Sequence, residues 1–164
     1  MGVDYRVIVI GRCWNEKEYS IKGDFWCNRF REIWDDLEPA YNLNDEVTKI
    51  INDFSEKEWG SDVYKPESRI ITLSSIKDYI NEKKEALERT KKGLADLKED
   101  RTKSQSDAAF EKFSELIGDA EQMVAYYQEE CINYAQSLMD GIYFYINDVL
   151  DLTDDFYLSI WACW

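Results

Sequence analysis

The stretch "DDFYLSIWACW" (Asp154–Trp164) decides the fold. Phe156, Leu158, Ile160, Ala162 and Trp164 alternate with Tyr157, Ser159, Trp161 and Cys163. One face is wholly apolar and the other mixed, which is the two-residue period of a β-strand. Left free, such a strand is an aggregation hazard. The hazard disappears if the strand pairs within a sheet, and Asp4–Arg12 offers the partner. Val7, Ile8, Val9 and Ile10 are β-branched and apolar on both faces, the mark of an interior strand covered on two sides. The rival reading is a tail that buries its tryptophans in another protein.

Outward from these two strands, "WNEKEYSIKGD" (Trp14–Asp24) reads as a turn and a short returning strand around Tyr19–Lys22. Helix is expected from about Asp24, because Trp26, Phe30, Ile33 and Leu37 recur at spacings of four, three and four until Pro39. Asn44 caps a second helix, with Asp45 and Glu46 in its first turn and Val47, Ile50, Ile51 and Phe54 on its apolar face. Gly60 marks its exit, and "GSDVYKPES" (Gly60–Ser68) reads as loop. "RIITL" (Arg69–Leu73) is a short strand, and Ser75, with Asp78 three residues on, caps the next helix.

From Ser75 to about Lys103 the apolar pattern becomes heptad-like: Ile76, Ile80, Lys83, Leu87, Thr90, Leu94, Leu97 and Arg101 alternate strictly by four and three. "RTKSQSD" (Arg101–Asp107) interrupts it. Phe110, Phe113, Ile117, Ala120, Val124, Tyr127, Cys131, Tyr134, Leu138 and Tyr145 resume it, with Gly141 filling one gap. Two seams joined by a polar link predict an antiparallel helical hairpin, with Gly118 and Gly141 as the places where the second helix can bend. The expected fold class is α+β. A small sheet of N-terminal, central and C-terminal strands packs with helices, and a long antiparallel hairpin is added. The expected organisation is one domain, 1–164, with the hairpin, about 75–150, projecting from a core formed by 1–74 and 151–164.

Composition bounds the function. With 45% apolar and 15% aromatic residues the chain has the means to fold despite a net charge of -14. No apolar run approaches the ~20 residues of a membrane span, and "MGVDYRVIVIGRC" (Met1–Cys13) reads as strand, not signal peptide. The expectation is a cytoplasmic protein with no membrane partner. Cys13, Cys27, Cys131 and Cys163 are scattered, without a C-x-x-C pair, and read as reduced and mostly buried thiols. A four-cysteine zinc site from such distant positions carries no sequence signal. Histidine is absent, which removes the usual general base and the commonest metal ligand.

Other chemistry is equally unsignalled. "DVLDLTDD" (Asp148–Asp155) lacks the spacing of a calcium loop, and "VIVIGRCW" (Val7–Trp14) has a lone Gly11 where a phosphate loop needs several glycines. Cys13 lies just beyond a strand, but no histidine is present to activate it. Tyr126, Tyr127, Tyr134, Tyr143, Phe144 and Tyr145 invite a base-stacking reading. Such stacking comes with a basic groove, whereas residues 104–164 carry twelve acids against Lys112 alone. These aromatics are therefore expected mostly in the core, and direct nucleic-acid binding is not expected except through the basic helix Lys77–Lys103. No cofactor, metal or catalytic residue is assigned.

What remains is charge. The basic helix Lys77–Lys103 followed by an acidic one accounts for part of the asymmetry, since neighbours of opposite sign attract. Asp107, Glu111, Glu115 and Asp119, four apart, form a ridge on one helix face, and Asp35, Asp36 and Glu38 open a second acidic block that runs on to Asp45 and Glu46. These are the candidate partner-binding residues.

In size and charge the chain resembles the small, acidic, compact proteins that phages use against bacterial defences, including anti-CRISPR proteins. Its opening "MGVDY" looks like the starts of short phage-encoded proteins. The resemblance implies function by blockade, in which an acidic surface occupies the basic site where a nuclease or CRISPR effector holds nucleic acid, in the cytoplasm of an infected bacterium. Toxin–immunity inhibitors share these features. Two other classes stand beside it: an assembly protein forming a homodimer through its hairpin, and a carboxylate-based enzyme or small-ligand binder.

Overall fold

A computed structural model describes residues 2–40, 43–60 and 65–164. The protein is α+β, with a four-stranded antiparallel sheet, three helical stretches and the order β2-β1-β4-β3. The strands are β1 (Asp4–Gly11), β2 (Ser20–Trp26), β3 (Glu67–Ile71) and β4 (Tyr157–Cys163). The helices are α1 (Asp45–Trp59), α2 (Leu73–Thr102), α3 (Asp107–Ala125) and α4 (Tyr134–Phe144). A π-helical segment, Tyr126–Asn133, joins α3 to α4, and a second, Tyr145–Val149, follows α4, giving one helical stretch of 43 residues. Two compact units result: one holds the chain up to Ile76 and Leu138–Trp164, the other Lys77–Ser137.

In the first unit β4 lies between β1 and β3, as its alternation requires. Val7 pairs with Ile160 on one side of it and Arg69 with Ile160 on the other. Both faces are covered. On one, Ile8, Ile10 and Trp161 pack against Val47 and Ile51 of α1. That helix starts where Asn44 accepts the Val47 N–H at 2.8 Å and stops at Gly60, whose φ of 57° suits glycine. Tyr5, on the opposite face, packs against Trp34 at 5.2 Å between ring centroids, and the Tyr145 ring lies over Gly23, where an added Cβ would come within 3.2 Å of its oxygen.

The helix expected from Asp24 is not there. β2 runs on to Trp26, and two short 3-10 turns follow, Asn28–Glu32 and Trp34–Asp36. Phe30, Ile33 and Leu37 are buried all the same, but Trp26 is exposed. For Phe30, Ile33 and Leu37, though not Trp26, the spacing marks the side chains that go inward, and successive tight turns bury them as well as one helix would. β3 also begins two residues earlier than "RIITL" and ends two earlier. Ser75 is not the cap of α2. It is the third helical residue, and its Oγ accepts the Thr72 N–H at 3.3 Å, the returning half of a capping box. The middle of the expected loop, 61–64, lies outside the described residues.

In the second unit the expected register of α2 holds: Lys83, Leu87, Thr90, Leu94, Leu97 and Arg101 are buried or half-buried. Lys98 pairs with Glu121 at 3.7 Å, while Arg101, nearer the link, reaches Ser114 at 3.3 Å, so α2 and α3 run antiparallel. Along α3 and on to Cys131 the register also holds, except that Phe110, beside the link, is exposed beneath the Arg101 guanidinium. Beyond it the buried set is Ile132, Ala135, Leu138, Ile142 and Ile146, not Tyr134, Gly141 and Tyr145. Leu138 keeps its expected place, while the wider π turns on either side of α4 take up extra residues and bring Ile132, Ala135, Ile142 and Ile146 inward. Gly118 and Gly141 lie within helix and break nothing.

Candidate partner-binding surface

Ser106 begins α3 by accepting the Ala109 N–H at 3.1 Å, which places Asp107 in the first turn, where the helix dipole favours a carboxylate. Glu111, Glu115 and Asp119 follow at successive turns, and all four side chains are exposed. At 100° per residue the ridge faces almost directly away from the seam residues Phe113, Ile117, Ala120 and Val124. Among the described residues, the ion pair across this hairpin uses Glu121, and the ridge enters one pair only, Glu115 with Lys112 of its own helix at 3.9 Å. The basic charge of α2 therefore does not neutralise the ridge by direct pairing.

The second block divides by role. Asp35, Asp36 and Glu38 are exposed around the buried Trp34 and Leu37. Asp45 and Glu46 belong to the start of α1, and Glu46 accepts the Tyr19 N–H at 2.8 Å, a structural duty. The ridge and Asp35–Glu38 lie in different units.

The thiol and carboxylate clusters have internal partners. Glu16 accepts the Cys13 N–H at 3.0 Å and two contacts from Lys22 Nζ, at 2.7 and 2.9 Å. The Lys22 ammonium holds the Glu16 carboxyl down to about 2, and the Glu16 carboxylate pushes the Cys13 thiol up, which opposes a nucleophilic role at neutral pH. In "DVLDLTDD", Asp155 accepts from the Tyr19 hydroxyl and pairs with Arg12 at 3.1 Å, and Asp154 accepts from the Tyr143 hydroxyl at 3.3 Å. Burial, then the Asp155 hydrogen bond, push the Tyr19 phenol up to about 12. No group of three or more Cys, Asp or Glu among the described residues converges to hold a metal ion. Beside β2 and α1, a groove of about 510 Å³ is lined by Tyr19, Ile21, Phe54, Asp24, Asp53 and Glu58, but Arg6 engages both Asp24 and Glu58, at 2.6 and 3.1 Å.

Two expectations need correction. All four cysteines are free, but only Cys131 is buried, and Cys13, Cys27 and Cys163 are half-buried. The aromatics of the acidic segment are not mostly core: Tyr126, Tyr143 and Phe144 are exposed, and Tyr127, Tyr134 and Tyr145 are half-buried. Among these rings Tyr134 and Tyr145 give up their expected inward places to Ala135 and Ile146. Sequence reasoning also passed over Leu116 and Met123, exposed apolar side chains on α3; the available signal was two large apolar residues seven apart and off the seam.

No helix among the described residues is long and apolar enough to cross a membrane. Comparison of the chain with known protein families, with curated proteins and with solved structures finds no match.

Proposed function

We propose that this chain is a non-enzymatic binding protein whose acidic surface occupies a basic site on a nucleic-acid-handling partner. It would act as phage anti-defence proteins, including anti-CRISPR proteins, and toxin–immunity inhibitors act, which it resembles in size and charge. The observation that supports this reading is the ridge Asp107, Glu111, Glu115 and Asp119: exposed, turned away from the hairpin seam, and left out of the pairing between α2 and α3. Like charges one turn apart cost a helix about 0.2–0.5 kcal/mol per pair. Internal packing does not recover that cost, whereas a basic partner would, and the same charges would steer its approach. The absence of histidine and the upward push of the Glu16 carboxylate on the Cys13 thiol favour binding over catalysis.

The test is affinity capture from a lysate of the native host with the wild type and with a variant carrying Asp107→Asn, Glu111→Gln, Glu115→Gln and Asp119→Asn. The wild type is expected to retain a basic nucleic-acid-binding protein, to release it as salt rises from about 50 to about 200 mM, and to compete with its nucleic acid. The variant is expected to lose it. Equal retention by the variant, with the same salt dependence, refutes the role of the ridge.

A further inference from the structure

Leu116 and Met123 of α3 are 37% and 41% exposed, and Tyr126, three residues beyond Met123, is 45% exposed. Ala109, Lys112, Leu116, Asp119, Met123 and Tyr126 alternate by three and four, the spacing at which one helix presents a face to another. This series is distinct from the buried one, Phe113, Ile117, Ala120 and Val124. At 100° per residue it runs between that seam and the acidic ridge, meeting the ridge at Asp119. The hairpin therefore carries a second helix-docking stripe that α2 does not cover, apolar on one side and anionic on the other.

We infer that this flank of α3 seats an amphipathic basic helix of the partner. Its apolar side chains pack on Leu116 and Met123, and its lysines or arginines reach Glu115 and Asp119, the ridge carboxylates nearest the stripe. The inference rests on the function proposed above and specifies the form of the partner's contact. Charge complementarity selects this occupant. Between Ser104 and Trp164 the chain has twelve carboxylates against one cation, Lys112, which lies in the stripe already paired with Glu115, so a helix approaching the stripe meets a net negative surface. A second copy docked α3 against α3 would bring ridge against ridge, with like charges opposed. The apolar anchors give register and slow release, which a purely electrostatic contact does not.

Fluorescence anisotropy with three labelled probes tests it: a lysine-rich peptide with leucines at heptad a and d positions, the same composition scrambled, and an oligolysine of equal charge. The proteins are the wild type, Leu116→Ser with Met123→Ser, and the quadruple ridge variant, each checked for native helicity by circular dichroism. The double variant is expected to bind the amphipathic peptide about tenfold or more weakly, and oligolysine as tightly as the wild type does. The ridge variant should bind both weakly. Equal affinity of wild type and double variant for the amphipathic peptide, or equal binding of the scrambled peptide, overturns the docking stripe alone. Failure of the wild type to bind oligolysine in a salt-dependent way overturns the charge reading beneath it. A wild-type dimer in light scattering that the double variant loses assigns the stripe to a second copy and also overturns the inference.

Discussion

Ile160→Ala places the largest demand on this fold, because Ile160 is fully buried in β4 and that strand holds β1 on one side and β3 on the other. The substitution removes three carbons, worth about 2.4 kcal/mol in transfer at about 0.8 kcal/mol each. Val7 and Arg69 lie opposite Ile160 on the two neighbouring strands, and the sheet cannot collapse around the gap without breaking both pairings, so a cavity penalty adds to the loss. The expected total is about 3–4 kcal/mol, a large share of the ~5–15 kcal/mol that keeps a domain folded. For a chain of this size each kcal/mol lowers Tm by about 2–4 °C, so the drop should be roughly 6–16 °C. Trp164→Ala is the control. That larger residue lies four positions on, beyond the strand and 94% exposed, and its loss should move stability by less than about 0.5 kcal/mol. Urea denaturation followed by tryptophan fluorescence and circular dichroism measures both. Equal midpoints for Ile160→Ala and wild type, or a greater cost for Trp164→Ala, would refute the central placement of β4.

Leu87→Asp puts a carboxylate at a buried seam position of α2 and should destabilise the hairpin by more than about 3 kcal/mol at pH 7, less as the pH falls and the group protonates; an unchanged thermal midpoint would rule out the seam register. Lys22→Met should raise the Glu16 carboxyl from about 2 toward its ordinary range, read by carboxyl-carbon NMR titration. Because the folded value is depressed, the Lys22–Glu16 contribution is present above the unfolded carboxyl range and lost as pH falls toward 2; identical acid-unfolding curves for variant and wild type would contradict it. Ser159 is buried with its Oγ unpartnered, so Ser159→Ala should be neutral or stabilising by about 1 kcal/mol in denaturant melts, and a comparable loss would reveal an overlooked partner.

The parts of this fold legible from sequence are those where one period has one structural meaning. The double-sided apolar run of β1, the alternation of β4, the Asn44 cap and the four-three series of α2 each admit a single geometry. The 24–37 stretch failed because Phe30, Ile33 and Leu37 constrain which residues turn inward, not which backbone turns them, and because Trp26 ends a strand with its ring exposed. In the π segment Tyr126–Asn133 the adjacent apolar pair Cys131 and Ile132, both buried, carried the hint of a register change, and a strict heptad count reads past it. The ridge was legible as a face because spacing alone fixes exposure on a helix. Its independence from α2 was not, since that depends on which carboxylate, Glu121 in the event, lies within reach of Lys98.

The pairing of β1 with β4 joins residue 4 to residue 163, so the central contact of the sheet spans nearly the whole sequence. Its loop-closure entropy must be met before any strand contact offsets it, whereas the antiparallel helices close over the short link Lys103–Ser106. On topology alone the helical unit is expected to assemble early and the meeting of the two distant strands to limit the rate of folding. A circular permutant that joins the neighbouring ends of β4 and β1 through a tight turn, and opens the chain in the 103–106 link, would make that strand pair a local hairpin. It would move the topological cost from the sheet to the helices, with the strand order unchanged.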